Sequence, residues 1–275
     1  MSASIPSANP VVLLTGASRG LGLSVANLLL SNPSSSVNVI SVSRSKSSQL
    51  SQLEEDYPDR FVAFQGDVSS ESDNAKAVQL AIQKWSRLDA LILNAGIANL
   101  SKIQDLTAES FAHQLSVNTV SLITTVRAAL PYLKKAEPQG RVVFVSSGAA
   151  VGATAGWCAY NATKAAMNSI CRTLANEEPE LACFAVRPGV VDTDMQTQIR
   201  SQGTSVMSPS EFERFIKLHE EGKLLKPELP GSVIANLAIR GSRKDPVGSD
   251  GKGIGEVGGF VNWDAAELKG FRDSF

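Results

Sequence analysis

Histidine, clustered cysteine, surplus charge and long apolar runs are all scarce in this sequence, and each shortage removes a class of function. Basic and acidic residues nearly balance, 26 against 27, and no block of like charge occurs. A nucleic-acid-binding surface is therefore not expected. The two histidines, His113 and His219, lie far from any cysteine, so no metal site is expected. Cys158, Cys171 and Cys183 make an odd number without C-x-x-C spacing, which suits a reducing compartment and small core residues rather than disulfides. No apolar run approaches the roughly 20 residues that span a bilayer. The opening "MSASIPSANP" lacks a basic region followed by an apolar one, and the expectation is a soluble, cytoplasmic protein without a membrane partner.

What is present is a repeated β-α-β-α pattern. Short apolar, β-branched runs occur at 11–15, 37–43, 61–65, 88–94, 141–147 and 181–188, separated by amphipathic stretches of helical length. The runs are continuous rather than alternating, as a sheet covered on both faces requires. The prediction is an α/β, Rossmann-like, doubly wound parallel sheet in a single domain over 1–275, with helices on both faces. Regularity stops near 195. Residues 195–230 are polar and punctuated by Pro209, Pro227 and Pro230, before a helix-like "GSVIANLAIR" and a late apolar run at 259–263. Because the segment follows a strand's C-terminal end, where such sheets bind ligands, it is expected to be a substrate flap.

The first turn, "TGASRGLG" at 15–22, admits two readings. Gly16 to Gly20 satisfies G-x-S-x-G, the elbow of a serine hydrolase. That chemistry needs upstream strands carrying an oxyanion loop and a histidine after a downstream acid. Only 15 residues precede Gly16, and both histidines sit in helix-like polar segments. The nucleotide reading needs only local features. Gly16 permits a tight turn, Gly20 lets the backbone approach a pyrophosphate, and Gly22 lets the next helix pack closely. The helix N-terminus then faces the phosphates.

The spacing G-x-x-x-G-x-G resembles the T-G-x-x-x-G-x-G motif of the short-chain dehydrogenase/reductase family. The same resemblance runs through "GDV" (66–68), "LNAG" (93–96), "VN" (117–118), "VSS" (145–147), "YNATK" (160–164) and "RPGVVDTDM" (187–195). One departure is Leu93, where the family usually carries a first asparagine. Within the family, "RVVFVSS", "GWCAYNATKAAMN", "TLANEE" and "PGVVDTDMQ" are similar to the sepiapterin-reductase-like branch and its fungal benzil-reductase-like members.

Reversible carbonyl reduction needs a hydride donor, an acid for the developing alkoxide and a group that holds the carbonyl oxygen. Tyr160 and Lys164 are four apart and share a helix face. A neighbouring ammonium favours a phenolate, which is expected to bring Tyr160 toward a pKa usable at neutral pH. Tyr160 is thus read as acid/base and Lys164 as its tuner. The resemblance adds that Lys164 holds the nicotinamide ribose, that Ser147 bonds the substrate carbonyl and that Asn118 anchors a proton-relaying water.

An NAD enzyme places an acid about 20 residues past the glycine loop, while an NADP enzyme drops it and supplies arginine. Here Ser43 fills that slot, Arg44 follows, and Arg19 lies within the loop, so NADP(H) is the expected cofactor. The resemblance further assigns Gly16, Ser18, Gly20, Leu21, Gly22, Asp67, Val68, Asn94, Ala95, Gly96, Pro188, Gly189, Val191 and Thr193 to that cofactor. Trp157, Val190 and Met195 would line an apolar pocket for a small-molecule carbonyl substrate, an aromatic ketone or diketone. Trp157 could equally be a helix-start residue packed at the surface. Sepiapterin reductases hold the pterin with a C-terminal carboxylate, and Asn262 stands at that position with Asp264 nearby, which demotes a pteridine. Family members are commonly homodimers or homotetramers built on helices near 107–134 and 157–178.

Overall fold

The computed structural model describes residues 9–32 and 36–272. The opening tail up to residue 8 and the last three residues of the range 1–275 lie outside the described residues. Seven strands form one sheet: β1 (Val11–Thr15), β2 (Asn38–Ser43), β3 (Phe61–Gln65), β4 (Ala90–Leu93), β5 (Gly140–Val145), β6 (Leu181–Arg187) and β7 (Phe260–Asn262). The spatial order is 3-2-1-4-5-6-7, and every pair is parallel. Each strand falls within two residues of its expected run.

Positions in β1, β2, β4 and β5 are buried throughout, which is why these segments read as unbroken apolar runs. Side chains alternate between two cores. Val12, Leu14, Val39, Val143 and Phe184 point toward α1 (Gly20–Ser31), α2 (Ser48–Asp56) and α9 (Glu228–Arg240). Leu13, Ile40, Leu91, Phe144 and Cys183 point toward α3 (Glu71–Trp85), α5 (Ser121–Leu133) and α6 (Cys158–Glu177). Strand order reverses between β1 and β4, and a crevice opens beyond their C-terminal ends at that switch point.

Residues 195–230 are more regular than the sequence suggests. They fold into α7 (Asp194–Gln202) and α8 (Pro209–Glu220), and α9 already starts at Glu228. The Ser208 hydroxyl accepts from the Glu211 N–H, the Glu211 carboxylate reaches back to the Ser208 N–H, and Pro209 sits where no N–H is needed. These features start a helix despite the segment's polarity.

Candidate active site

A single cavity of about 1000 Å³ runs along the C-terminal edge of the sheet, from Arg44 and Asp67 at one end to Tyr160, Trp157 and Phe215 at the other. Every residue assigned above to cofactor or substrate lines it, as do Ser147, Tyr160 and Lys164.

The glycine loop forms its floor. Gly16 has φ +76° and Gly20 φ +56°, the left-handed region that favours glycine. A Cβ on Gly22 would stand 2.1 Å from the Gly16 carbonyl oxygen, so the helix closes onto the turn only without one. The Asn94 amide ties the turn across the switch point, donating to the Thr15 and Gly16 carbonyl oxygens at 3.0 Å each. Helix α1 has no side-chain cap and no acid in its first turn, which leaves its N-terminal donors facing the cavity. Ser43 is buried, and its Oγ accepts from the Ala17 N–H at 3.0 Å. Arg44 is exposed at the same end. Arg19 is exposed and ion-paired with Asp194 at 3.1 Å. Beside it the Thr193 methyl occupies the space a Gly20 Cβ would need, 3.1 Å away. Asp67 accepts from the Ser69 N–H and hydroxyl, 2.8 Å each, which fixes the loop after β3.

At the other end, β5 delivers a serine pair with divided duties. Ser146 is buried and donates to Asn168 at 2.6 Å. The Ser147 hydroxyl instead accepts from the Ala149 N–H at 3.1 Å and stands near enough to the Tyr160 phenol to lower its pKa. Tyr160 and Lys164 lie on the buried face of α6, 7% and 3% exposed.

One expectation is corrected here. The Tyr160 phenol is not brought down; burial pushes it up to about 12, against a smaller lowering by the Ser147 hydrogen bond. The same burial lowers the Lys164 ammonium to about 8. Lys164 Nζ donates to the Val145 carbonyl oxygen at 2.8 Å and lies 5.7 Å from the Tyr160 ring centroid. Desolvation therefore outweighs the charge that the four-residue spacing brings near.

Asn118 stands behind the cavity wall, its Oδ1 and Lys164 Nζ both beside Gly96. It is fully buried, outside the cavity wall, in a π-helical turn (Ser116–Val120) between α4 (Ala108–Leu115) and α5. Its Oδ1 accepts from the Ile97 N–H at 2.8 Å, and its Nδ2 donates to the Ile97 carbonyl at 2.8 Å and to Thr163 Oγ1 at 3.1 Å. Asn118 thus clamps the loop after β4 to α6, and every donor and acceptor in that clamp is spent on protein partners. The extra residue of the π turn aims it there.

Trp157 is a wall residue, 7% exposed, stacked on Phe215 at 5.6 Å and edge-on to Tyr160 at 5.6 Å. With Ala98, Ile199 and Met207 these rings form a third hydrophobic cluster, against which Val190 and Met195 pack. Neither Asn262 nor Asp264 lines the cavity, so among the described residues no carboxylate from that segment meets it. The wall also holds residues that sequence reasoning left unassigned: His113, Arg187, Gln196, Arg214 and Phe215. For Phe215 a signal existed, because an apolar residue seven past the Ser208 cap falls on one helix face with Phe212.

A sequence profile of the family described as short chain dehydrogenase matches residues 10–204. The chain belongs to that family. It is 39% identical over 233 residues to an uncharacterized oxidoreductase of Saccharomyces cerevisiae, covering 84% of this chain and 90% of that one. It is 35% identical over 242 residues to a benzil reductase ((S)-benzoin forming) of the same yeast, again covering 84% and 90%. A crystal structure of a short chain dehydrogenase/reductase from S. cerevisiae superposes with a TM-score of 0.87 at 34% identity, covering 96% of this chain and 100% of that one. As a short-chain dehydrogenase the chain is an oxidoreductase, of a family that binds a nicotinamide cofactor. No described helix is long and apolar enough to cross a membrane, and the described residues contain no metal-binding cluster of His, Cys, Asp and Glu.

Proposed function

We propose that the chain is an NADPH-dependent carbonyl reductase acting on a ketone or diketone, with benzil-like aromatic carbonyls favoured. The observation that carries this reading is that Ser147, Tyr160 and Lys164 meet on one wall, with Lys164 Nζ 5.7 Å from the Tyr160 ring centroid, at the apolar end of a groove floored by the glycine loop. The groove suits a dinucleotide: glycines stand where a Cβ would clash, and the uncapped α1 N-terminus offers donors to a pyrophosphate. Ser43 and Arg44 stand at the adenosine end in place of an acid, with Arg19 held only by an exposed ion pair of small worth. This supports NADP(H) over NAD.

When bound, the cofactor supplies hydride to the carbonyl carbon. The C=O π bond then becomes a C–O bond whose oxygen needs a proton. Ser147 holds that oxygen, and Tyr160 donates the proton from a phenol that burial keeps protonated at neutral pH. Lys164, lowered to about 8, stays mostly cationic at pH 7 and favours the phenolate left behind. Asn118 clamps the loop after β4 to α6 behind Lys164, where the resemblance places a proton-relaying water. Helices α7 and α8 act as the substrate flap, closing apolar surface over an aromatic substituent. The relative described as a benzil reductase supports an aromatic dicarbonyl. Half-exposed Val120 and Ile123 on the helices near 107–134 fit a homodimer or homotetramer.

The test is a panel of carbonyls, including benzil and sepiapterin, run with NADPH and NADH. NADPH oxidation with aromatic diketones is expected. Tyr160→Phe should lower kcat by roughly 10²–10⁴ with the fold retained. Full activity in that variant would overturn the assignment.

A further inference from the structure

Arg187 ends β6 and pairs through its backbone with Asn262. Its side chain is half-buried inside the cavity and lies flat against Gly148, the residue after Ser147. A Cβ on Gly148 would stand 2.8 Å from each of Nε, Cζ and Nη2. The missing side chain is therefore the seat of the guanidinium.

That guanidinium meets no carboxylate and no hydrogen-bond acceptor among the described residues. Other partly buried arginines among the described residues each hold an acceptor through at least one nitrogen, including Arg200 and Arg272, which leave another nitrogen unpaired. Arg60 donates to the Leu30 carbonyl at 3.0 Å, Arg87 to Asp89 at 2.6 Å, Arg141 to the Gly241 carbonyl at 2.6 Å, and Arg243 to the Leu181 carbonyl at 2.9 Å. Arginine stays charged at any working pH, so a half-buried, partnerless guanidinium is a standing demand for an anionic acceptor. Two further polar atoms on the same cavity wall lack partners, Trp157 Nε1 and Gln196 Oε1, on side chains more than nine-tenths buried. The reacting end is thus apolar in its rings and unsatisfied in its polar atoms.

We propose that Arg187 is a specificity-determining residue that receives a carboxylate beside the reacting carbonyl, so that, alongside neutral aromatic diketones, the site takes α-keto acids with an aromatic or bulky apolar substituent in preference to their esters. This rests on the carbonyl-reductase reading above. The rings of Trp157 and Phe215 take the substituent, Ser147 and Tyr160 take the ketone oxygen, and Arg187 takes the carboxylate through a charge-assisted, forked hydrogen bond.

Phenylglyoxylate and its methyl ester separate charge from shape, because the ester is the better electrophile and lacks the anion. The parent protein is expected to favour the acid over the ester in kcat/KM by about tenfold or more, the size of a charge-assisted pair. Arg187→Met is expected to bring that ratio to one or below, and Gly148→Ala, which unseats the guanidinium, to lower it in part. Arg187→Lys keeps a cation and should hold an intermediate ratio, which separates lost recognition from a damaged fold. An acid-to-ester ratio at or below one in the parent protein would overturn the proposal. So would a ratio that Arg187→Met leaves unchanged while the NADPH Kd rises, because Arg187 would then serve the cofactor. Absence of NADPH oxidation with every carbonyl tried, the ester included, is instead the failure of the reductase reading.

Discussion

Lys164 donates to the Val145 carbonyl oxygen at 2.8 Å, so β5 rather than Tyr160 fixes where the ammonium points. Folding buries this charge at a cost, and that cost has a pH signature. Lys164 falls from an ordinary value near 10.5 to about 8. Between those values the unfolded chain holds a proton that the folded chain has released, so stability rises as pH climbs from 8 toward 10.5. Tyr160, raised to about 12, works the other way: its stabilisation is complete below pH 10 and is lost as pH rises through 12. Burial also raises the Cys171 and Cys183 thiols, which opposes this rise over the same range, so urea midpoints at pH 7.5 and 9.5 are compared between the parent protein and Lys164→Met. Lys164→Met should lose a rise worth about 2 kcal/mol over that interval, and equal pH slopes in the two proteins would contradict the burial effect.

The Ser43 hydroxyl accepts from the Ala17 N–H at 3.0 Å. An aspartate there keeps an acceptor and adds the charge that NAD enzymes use for the ribose. Combined with Arg44→Ala, Ser43→Asp should shift the NADPH-to-NADH ratio of kcat/KM toward NADH by about a hundredfold, taking each change as about 1.4 kcal/mol. Steady-state kinetics with both cofactors measures it, and an unmoved ratio would relocate phosphate recognition elsewhere.

Phe215 stacks on Trp157 with 15° between ring planes and anchors α8 to the wall. Truncating a buried phenylalanine costs about 3–5 kcal/mol where the site cannot collapse. The third cluster is separate from the two sheet cores, so the damage should stay local. In Phe215→Ala, amide exchange across 195–216 should accelerate while β4 and β5 keep their protection, and the KM for an aromatic carbonyl should rise with kcat little changed.

Asn118→Ala strips partners from the Ile97 N–H and carbonyl and from Thr163 Oγ1. Leaving buried polar groups unpaired costs about 1–3 kcal/mol each where water cannot reach them. Thermal melting should show a clear loss of stability, and exchange at the Ile97 amide should rise above the global rate. An unchanged melting temperature would mean that water replaces the clamp.

How much of this was legible depended on whether a feature leaves a residue-type trace. Strands buried on both faces must be largely apolar, so β1, β2, β4, β5 and β6 could be read directly despite buried Ser41 and Arg141, and edge strand β3 by its β-branched and aromatic residues. The glycine loop was legible because Gly16 and Gly20 adopt positive φ and Gly22 abuts the Gly16 carbonyl. Helix α8 was legible in principle, since Ser208-Pro209-Ser210-Glu211 is a capping box, but surrounding prolines and charges obscured it. The charge states of Tyr160 and Lys164 were not legible. Their four-residue spacing reports proximity, whereas desolvation depends on the β5 backbone and on rings from α8, far off in sequence. Arg187 stood within a recognised motif, yet its situation is made by Gly148 on another strand end.

The first turn also reaches far along the chain. Thr193 fills the space beside Gly20, and Asp194 meets Arg19, at the point where α7 begins. The floor of one half of the cleft and the wall of the other therefore hang from a common joint. One close approach and one solvent-exposed ion pair are where they meet, so the loop and α7 share a boundary without any domain hinge.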